Sequence, residues 1–227
     1  MQAPPREVVI LGAGGTGRDV AQLIADVNAI APTWACAGYL DDDPAKQGGL
    51  YQGLPVLGPL SGAAGYGGAL FVNALGSASN HWRMDALVAS LGIDPERFAT
   101  IVHPTASVSA DAVLGPGCIV YPHVSIISDV RLGRQVVVLA NSVLNRGVEV
   151  GDFTLLASGV LLSSAITVGR CCYLGAGCNV IQKTAIGDRA LVGLGAVVLD
   201  DVAPGSVVVG NPARFLRPSV PAEAGAG

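Results

Sequence analysis

The sequence predicts a small α/β unit followed by a parallel β-helix of hexapeptide repeats. Three observations carry that expectation. A short apolar strand runs straight into a glycine-rich turn and a helix at 7–30. From residue 101, 19 hexapeptides follow one another without insertion, and within them a glycine returns every 18 residues.

EVVIL (7–11) reads as the first strand, GAGGTG (12–17) as the turn, and RDVAQLIADVNAI (18–30) as a helix with apolar residues at Val20, Leu23, Ile24 and Val27. A second strand near CAGYL (36–40) runs into DDDP (41–44), and LFVNALG (70–76) reads as a third. NHWRMDALVASLG (80–92) has helical spacing, with Asn80 as N-cap and Gly92 as the stop. GAGGTG follows a strand and opens a helix, the setting in which backbone N–H groups hold a phosphate. Asp41 comes 29 residues after Gly12, beyond the roughly 20 of a dinucleotide fold, so an NAD-dependent enzyme is a weak reading.

The repeats run IVHPTA, SVSADA, VLGPGC and so on to VGNPAR (209–214). Their second position is Val, Leu or Ile in each of the first 17, and their sixth is small or β-branched. Glycine at 115, 133, 151, 169 and 187 marks a turn of three hexapeptides. One corner of each turn is therefore expected to need glycine's backbone freedom. A triangular coil satisfies this pattern, with the aliphatic inward and the small residue beside it at the corner. About six turns at ~4.8 Å give a prism roughly 30 Å tall. Cys118, Cys172 and Cys178 fall at the sixth position and read as core packing.

Composition narrows the function classes. Half the residues are apolar, 13% are charged, and mean hydropathy is +0.53, yet every apolar run stops far short of the ~20 residues of a membrane span. No signal peptide is expected in MQAPPREVVIL, so a cytoplasmic location and no membrane insertion are expected. Five cysteines without CxxC spacing argue against a disulfide framework or a metal site. Net charge −4 argues against nucleic acid as partner. Low charge with high apolarity suggests a surface covered in an oligomer.

The order of a glycine-rich α/β unit, hexapeptides and GNPAR (210–214) resembles the nucleotide-sugar acetyltransferases of bacterial glycan synthesis. These are relatives of the bacillosamine N-acetyltransferase and of the sialic-acid O-acetyltransferase-like proteins. The likeness runs through GAGGTG, YLDDD, HPTA and AIGDRALVGLGAVVLDDVAPGSVVVGNPAR. It implies a Rossmann-like nucleotide-sugar domain over 1–98, a left-handed β-helix over 99–216 and a tail over 217–227. The left hand comes from the resemblance, since parallel crossovers are right-handed in about 98% of cases. It further implies a homotrimer with acetyl-CoA or another acyl-CoA as co-substrate, bound at subunit interfaces, and no metal. By the same resemblance Gly14, Gly15, Thr16, Asp41, Asp42 and Gly76 contact the nucleotide-linked sugar. Leu155, Gly175, Ala176, Leu194 and Gly195 line the CoA groove, with backbone amides around Gly175 and Gly195 facing it. Arg214 and Arg217 are phosphate candidates.

The stretch NRGVEVGDF (145–153) departs from the family pattern. Where relatives carry a catalytic histidine followed by an acid, this chain has Arg146 and Gly147; a second histidine becomes Leu155 and an asparagine becomes Leu139. Histidine suits proton transfer near pH 7. Arginine stays protonated and is not a base, although it can hold a phosphate, a carboxylate or an oxyanion. Of the remaining histidines, His103 is expected as a cap or packing residue and His81 on the surface. His123, near a coil corner, is the alternative base offered across a subunit interface. Two functions follow: an acyl-CoA-dependent transferase on a nucleotide-linked amino sugar, or a non-catalytic trimeric homologue that binds nucleotide sugar, CoA or a partner protein.

Overall fold

A computed structural model describes residues 4–220 of the chain. The apolar run at its start forms β1 (Arg6–Leu11), whose last four residues are fully buried. After it come α1 (Gly15–Ile30), β2 (Trp34–Leu40), β3 (Leu50–Tyr51), β4 (Leu54–Gly58) and β5 (Leu70–Asn73). The helix turns Val20, Leu23 and Ile24 inward, as its spacing predicts. The strands order as β3-β4-β2-β1-β5, all pairs parallel except the β3–β4 hairpin, which the sequence reading did not foresee. Because β1 is flanked by β2 on one side and β5 on the other, the winding reverses there. In such sheets a crevice opens outside the carboxyl ends of the strands at the reversal.

The helix expected over 80–92 is shorter than its spacing suggests. A single 3-10 turn (His81–Arg83) leads into α2 (Met84–Ala89). Asn80 does not cap it. Its Oδ1 accepts from the Ser77 amide at 2.7 Å and its Nδ2 donates to the Leu75 carbonyl at 2.9 Å, so it braces the loop after β5 instead.

From Ile101 to Val198 the chain winds around three sheets in strands of two residues each, and their spacing of six fits a left-handed β-helix. Face one holds eight strands, from Ile101–Val102 through Leu155–Leu156 to Arg214–Pro218. Face two holds six (Ser107–Val108 to Val197–Val198) and face three five (Val113–Leu114 to Ala185–Ile186). Second-position aliphatics such as Leu144, Leu156 and Leu174 are fully buried, as are Cys118, Cys172 and Cys178. Burial pushes the Cys118 thiol up to about 11 and the other two to about 12, as expected of packing residues.

The glycine column requires a correction. None of Gly115, Gly133, Gly151, Gly169 and Gly187 has a positive φ. They are needed for room: a Cβ on Gly115 would sit 2.7 Å from the Gly133 carbonyl, and one on Gly133 would sit 2.3 Å from Asp152 Oδ1. The left-handed backbone falls at the fifth position of the repeat. Every sixth residue from Gly117 to Gly195 has positive φ there, and nine of these, including His123, Gln135 and Phe153, are not glycine.

GNPAR returns the chain as the antiparallel strand Arg214–Pro218 on Ser206–Val209. Of the tail expected over 217–227, Arg217 and Pro218 lie in that strand, and 221–227 fall outside the described residues. The α/β unit packs on face one. His103 bridges Thr105 (2.8 Å) and Asp26 on α1 (3.3 Å), Arg189 Nε donates to the Trp82 carbonyl (3.0 Å), and Asp85 on α2 takes Arg170.

Candidate functional site

The glycine-rich turn sits at the crevice beside β1, and its glycines divide by what surrounds them. Gly12 has φ +101, and a Cβ on Gly17 would lie 1.9 Å from the Gly12 carbonyl oxygen. Both are required by strand–helix packing. Gly14 and Gly15 have nothing within 4 Å of an added Cβ and no positive φ. The fold itself does not demand them; they leave the loop open to close approach from outside. Gly14 caps α1 with no side-chain hydrogen bond, so the first-turn amides of the helix, with half-exposed Thr16 among them, are free to meet an anion.

Asp41 lies under this loop and is mostly buried. Its Oδ2 accepts from the Ala13 amide (2.7 Å) and Lys46 Nζ (2.9 Å), its Oδ1 from the Asp43 amide (2.9 Å). Burial alone would raise its pKa, but these donors together hold the carboxyl below the ordinary value. Asp41 thus ties the glycine loop to the end of β2. Asp42 is exposed and accepts from the Leu60 amide at 2.8 Å, joining the next segment to the same rim.

Gly76, just past β5, completes the crevice. A Cβ on it would touch Leu155 Cδ1 at 3.6 Å, so the loop after β5 and face one meet there. Between them, Thr16, Gly76 and Leu155 border a small cavity of about 20 Å³. The other predicted acyl-CoA residues stack one coil apart on the edge between faces one and two. Ala176 is exposed, and Leu194 is 82% exposed. The Gly175 and Gly195 amides themselves serve the coil. They donate to Val192 (2.7 Å) and Ala176 (2.8 Å), because coil-to-coil bonding uses them.

His123 lies on that same edge, exposed, its amide donating to Thr105 Oγ1 at 3.2 Å. Arg146 lies elsewhere, exposed on the edge between faces two and three, away from the α/β unit. Within one chain it meets neither the glycine loop nor Leu155. Around that edge Ile127, Ile181 and Leu199 are 43–47% exposed. Arg214 and Arg217 are both exposed and turn a guanidinium nitrogen to nearby carbonyls. His81 departs from expectation: it is buried with its ring 6.1 Å from that of Tyr173, and burial lowers its pKa. Among the described residues there is no group of three or more His, Cys, Asp or Glu placed to hold a metal, and no helix long and apolar enough to cross a membrane.

Solved structures place this arrangement. The acetyltransferase domain of PglB from Neisseria gonorrhoeae FA1090, also known in complex with acetyl coenzyme A, is 27% identical with a TM-score of 0.81, covering 93% of this chain and 100% of its own. A histidine variant of perosamine N-acetyltransferase from Caulobacter crescentus, in complex with CoA and GDP-perosamine, is 27% identical at TM-score 0.78 over 93% and 97%. The architecture is that of the nucleotide-sugar acetyltransferases. WeeI from Acinetobacter baumannii AYE, at 23% identity and TM-score 0.77 over 93% and 100%, shares the fold. No family model and no curated protein sequence matches the chain.

Within this acetyltransferase architecture, three residues at the crevice escaped the sequence reading. Asn73 ends β5, is buried, and its Oδ1 accepts from the Leu75 amide at 3.1 Å. Gln135 and Phe153, both fifth-position residues, wall the small cavity from below. Only their polar or aromatic character at a corner distinguished them in the sequence.

Proposed function

We propose that the chain is an acyl-CoA-dependent transferase, with acetyl-CoA as donor, acting on a nucleotide-linked amino sugar in bacterial glycan biosynthesis. The observation that carries this reading is the open Gly14–Gly15–Thr16 loop set beside Gly76 and Leu155, which brings a phosphate-binding turn against the face expected to carry CoA. The likeness to acetyltransferases solved with CoA and GDP-perosamine supports it. The α/β unit is a Rossmann-like half-domain that receives the nucleotide at the β1 crevice.

The enzyme works in the cytoplasm as a homotrimer. The exposed aliphatics beside Arg146 belong against a second copy, which brings Arg146 toward that copy's Leu155 and glycine loop. In the reaction the neutral sugar amine attacks the thioester carbonyl, the C–N bond forms, the C–S bond breaks, and the amine proton passes through water to the thiolate. Arg146 supplies no base; its N–H groups steady the oxyanion or the phosphates. Holding amine and thioester together contributes the larger part, up to roughly 7–11 kcal/mol.

The experiment is thiol release from acetyl-CoA with a panel of nucleotide-linked amino sugars. Release that requires a sugar and falls at least tenfold in Arg146→Ala supports the reading. Absence of release, with sugar and CoA still binding, favours the second reading, a non-catalytic trimeric homologue. That alternative is favoured by Arg146, Gly147, Leu139 and Leu155 standing together where relatives are expected to carry polar catalytic groups.

A further inference from the structure

Asn73, the last residue of β5, brings an uncommitted donor to the small cavity beneath the glycine loop. Alternate residues of a strand share a face, so Asn73 lies on the side of Phe71, which packs with Met84 in the core beneath α2. Met84 and Asn73 both border the cavity, together with Thr16 and Gly76. Asn73 is only 7% exposed. Its Oδ1 accepts from the Leu75 amide at 3.1 Å, and among the described residues its Nδ2 meets no acceptor. That nitrogen is not sealed in. The fully enclosed side-chain atoms without a partner there are His81 Nε2, the Tyr121 hydroxyl oxygen and Gln135 Oε1; Asn73 Nδ2 differs from them in keeping open surface. A buried donor left without an acceptor is destabilising, and a ligand oxygen that reaches it recovers that loss.

The cavity limits what that oxygen can belong to. Its volume is about 20 Å³, and a single water needs at least ~10–15 Å³, so one oxygen-sized group fills it. Met84, Val137, Phe153 and Leu155 make much of its wall apolar. A phosphate is too large for the space and would lose its solvation against those side chains, whereas the first-turn amides of α1 suit it. A hydroxyl satisfies both limits. Thr16 belongs to the glycine loop and to the cavity rim alike, so the group that enters follows the phosphates along the ligand.

Resting on the nucleotide-sugar reading of the glycine loop, we infer that Asn73 is a specificity-determining residue. Its Nδ2 donates to one ring hydroxyl of the nucleotide-linked sugar, and that hydroxyl occupies the cavity. The ring position lodged there carries a free hydroxyl and not an acylated amine, for which the space is too small.

Calorimetric titration of the full chain without CoA tests this, using UDP-glucose beside UDP and GDP-mannose beside GDP. For the nucleotide that binds, one monodeoxy analogue of its sugar is expected to bind about fivefold more weakly than the parent. An acetamido group at the same position should weaken binding at least tenfold. Asn73→Ser keeps an acceptor for the Leu75 amide but withdraws the donor. In it the deoxy difference should vanish while the bare nucleotide keeps its wild-type affinity. Monodeoxy analogues that all bind like the parent, or a deoxy difference that survives in Asn73→Ser, overturn the role of Asn73 and leave the glycine loop as a nucleotide site. So does an equal loss of affinity for the bare nucleotide in Asn73→Ser, which marks a structural role only. An acetamido analogue bound as tightly as the parent overturns the size limit. Failure of both UDP and GDP to bind overturns the nucleotide-sugar reading and the role of Asn73 together. The analogue series in the wild type decides the matter even where the variant does not fold.

Discussion

Gly15 and Gly17 stand two residues apart in one turn, and the structure gives them opposite roles. A Cβ on Gly17 would lie 1.9 Å from the Gly12 carbonyl oxygen, against at least ~3.3 Å for ordinary contact, so Gly17→Ala must push α1 more than about 1 Å off β1. Overpacking on that scale costs about 3 kcal/mol. For a chain of this size that is a Tm loss of roughly 6–12 °C. Gly15→Val meets open space and removes glycine's backbone entropy from the first helical turn, so its Tm is expected within about 2 °C of wild type. Its branched side chain nevertheless stands where a phosphate would meet the amides of α1. Affinity for a nucleotide-linked sugar is expected to fall at least tenfold. Thermal unfolding and calorimetric titration of both variants measure the two effects. A Gly15→Val protein that binds like wild type, or that loses as much stability as Gly17→Ala, would refute the assignment of an open phosphate loop.

Other outcomes follow from the same geometry. With no titrating base, kcat/KM is expected to climb close to tenfold per pH unit below the pKa of the sugar amine, with no plateau beginning near 6.5; initial rates from pH 5.5 to 9 check this. The carboxyl of Asp41 titrates below its ordinary value in the folded chain, so its stabilisation is complete above about pH 3.9 and is lost as pH falls through the folded pKa. Asp41→Asn should therefore lower Tm at pH 7, and the gap from wild type should close below about pH 4. Glutamates introduced together at Ile181 and Leu199 place two charges in the proposed subunit contact and should release monomers, seen by light scattering, with activity lost; an unchanged mass would remove that edge from the interface.

The repeat was the most legible part of the sequence because it is dictated by burial: a coil with three short faces has one aliphatic place per face, and any insertion would show. The reason for its glycines was not legible. Spacing marks Gly133 as necessary but does not distinguish a strained φ from the nearness of Asp152 on the following coil. The glycine loop was also readable, yet the sequence placed Asp41 against the ligand, where packing turns its carboxylate back to Ala13, Asp43 and Lys46. His81 read as surface because a short helix hides which side it buries; face one of the β-helix covers it. Periodicity puts Arg146 on an edge of the prism but cannot say which face the α/β unit occupies, so its distance from Leu155 within one chain emerged only from the packing.

The corners of the coil have one more consequence. The second and sixth residues of the repeat fill the interior of the coil, while none of the described fourth-position residues from Pro104 to Leu194 is buried there. The fifth is held in a left-handed backbone, and from Gly117 to Gly195 it is never Val, Ile or Thr, although His, Asp, Gln, Phe, Cys, Lys and Arg all occur there. A corner therefore resembles the bit of a key, which can be recut while the shaft stays as it was. Arg146 is a fourth-position residue. A change of side chain there alters what the corner can do to a neighbouring molecule and leaves the buried contacts of the coil intact, so chemistry can drift at these edges without any warning from stability.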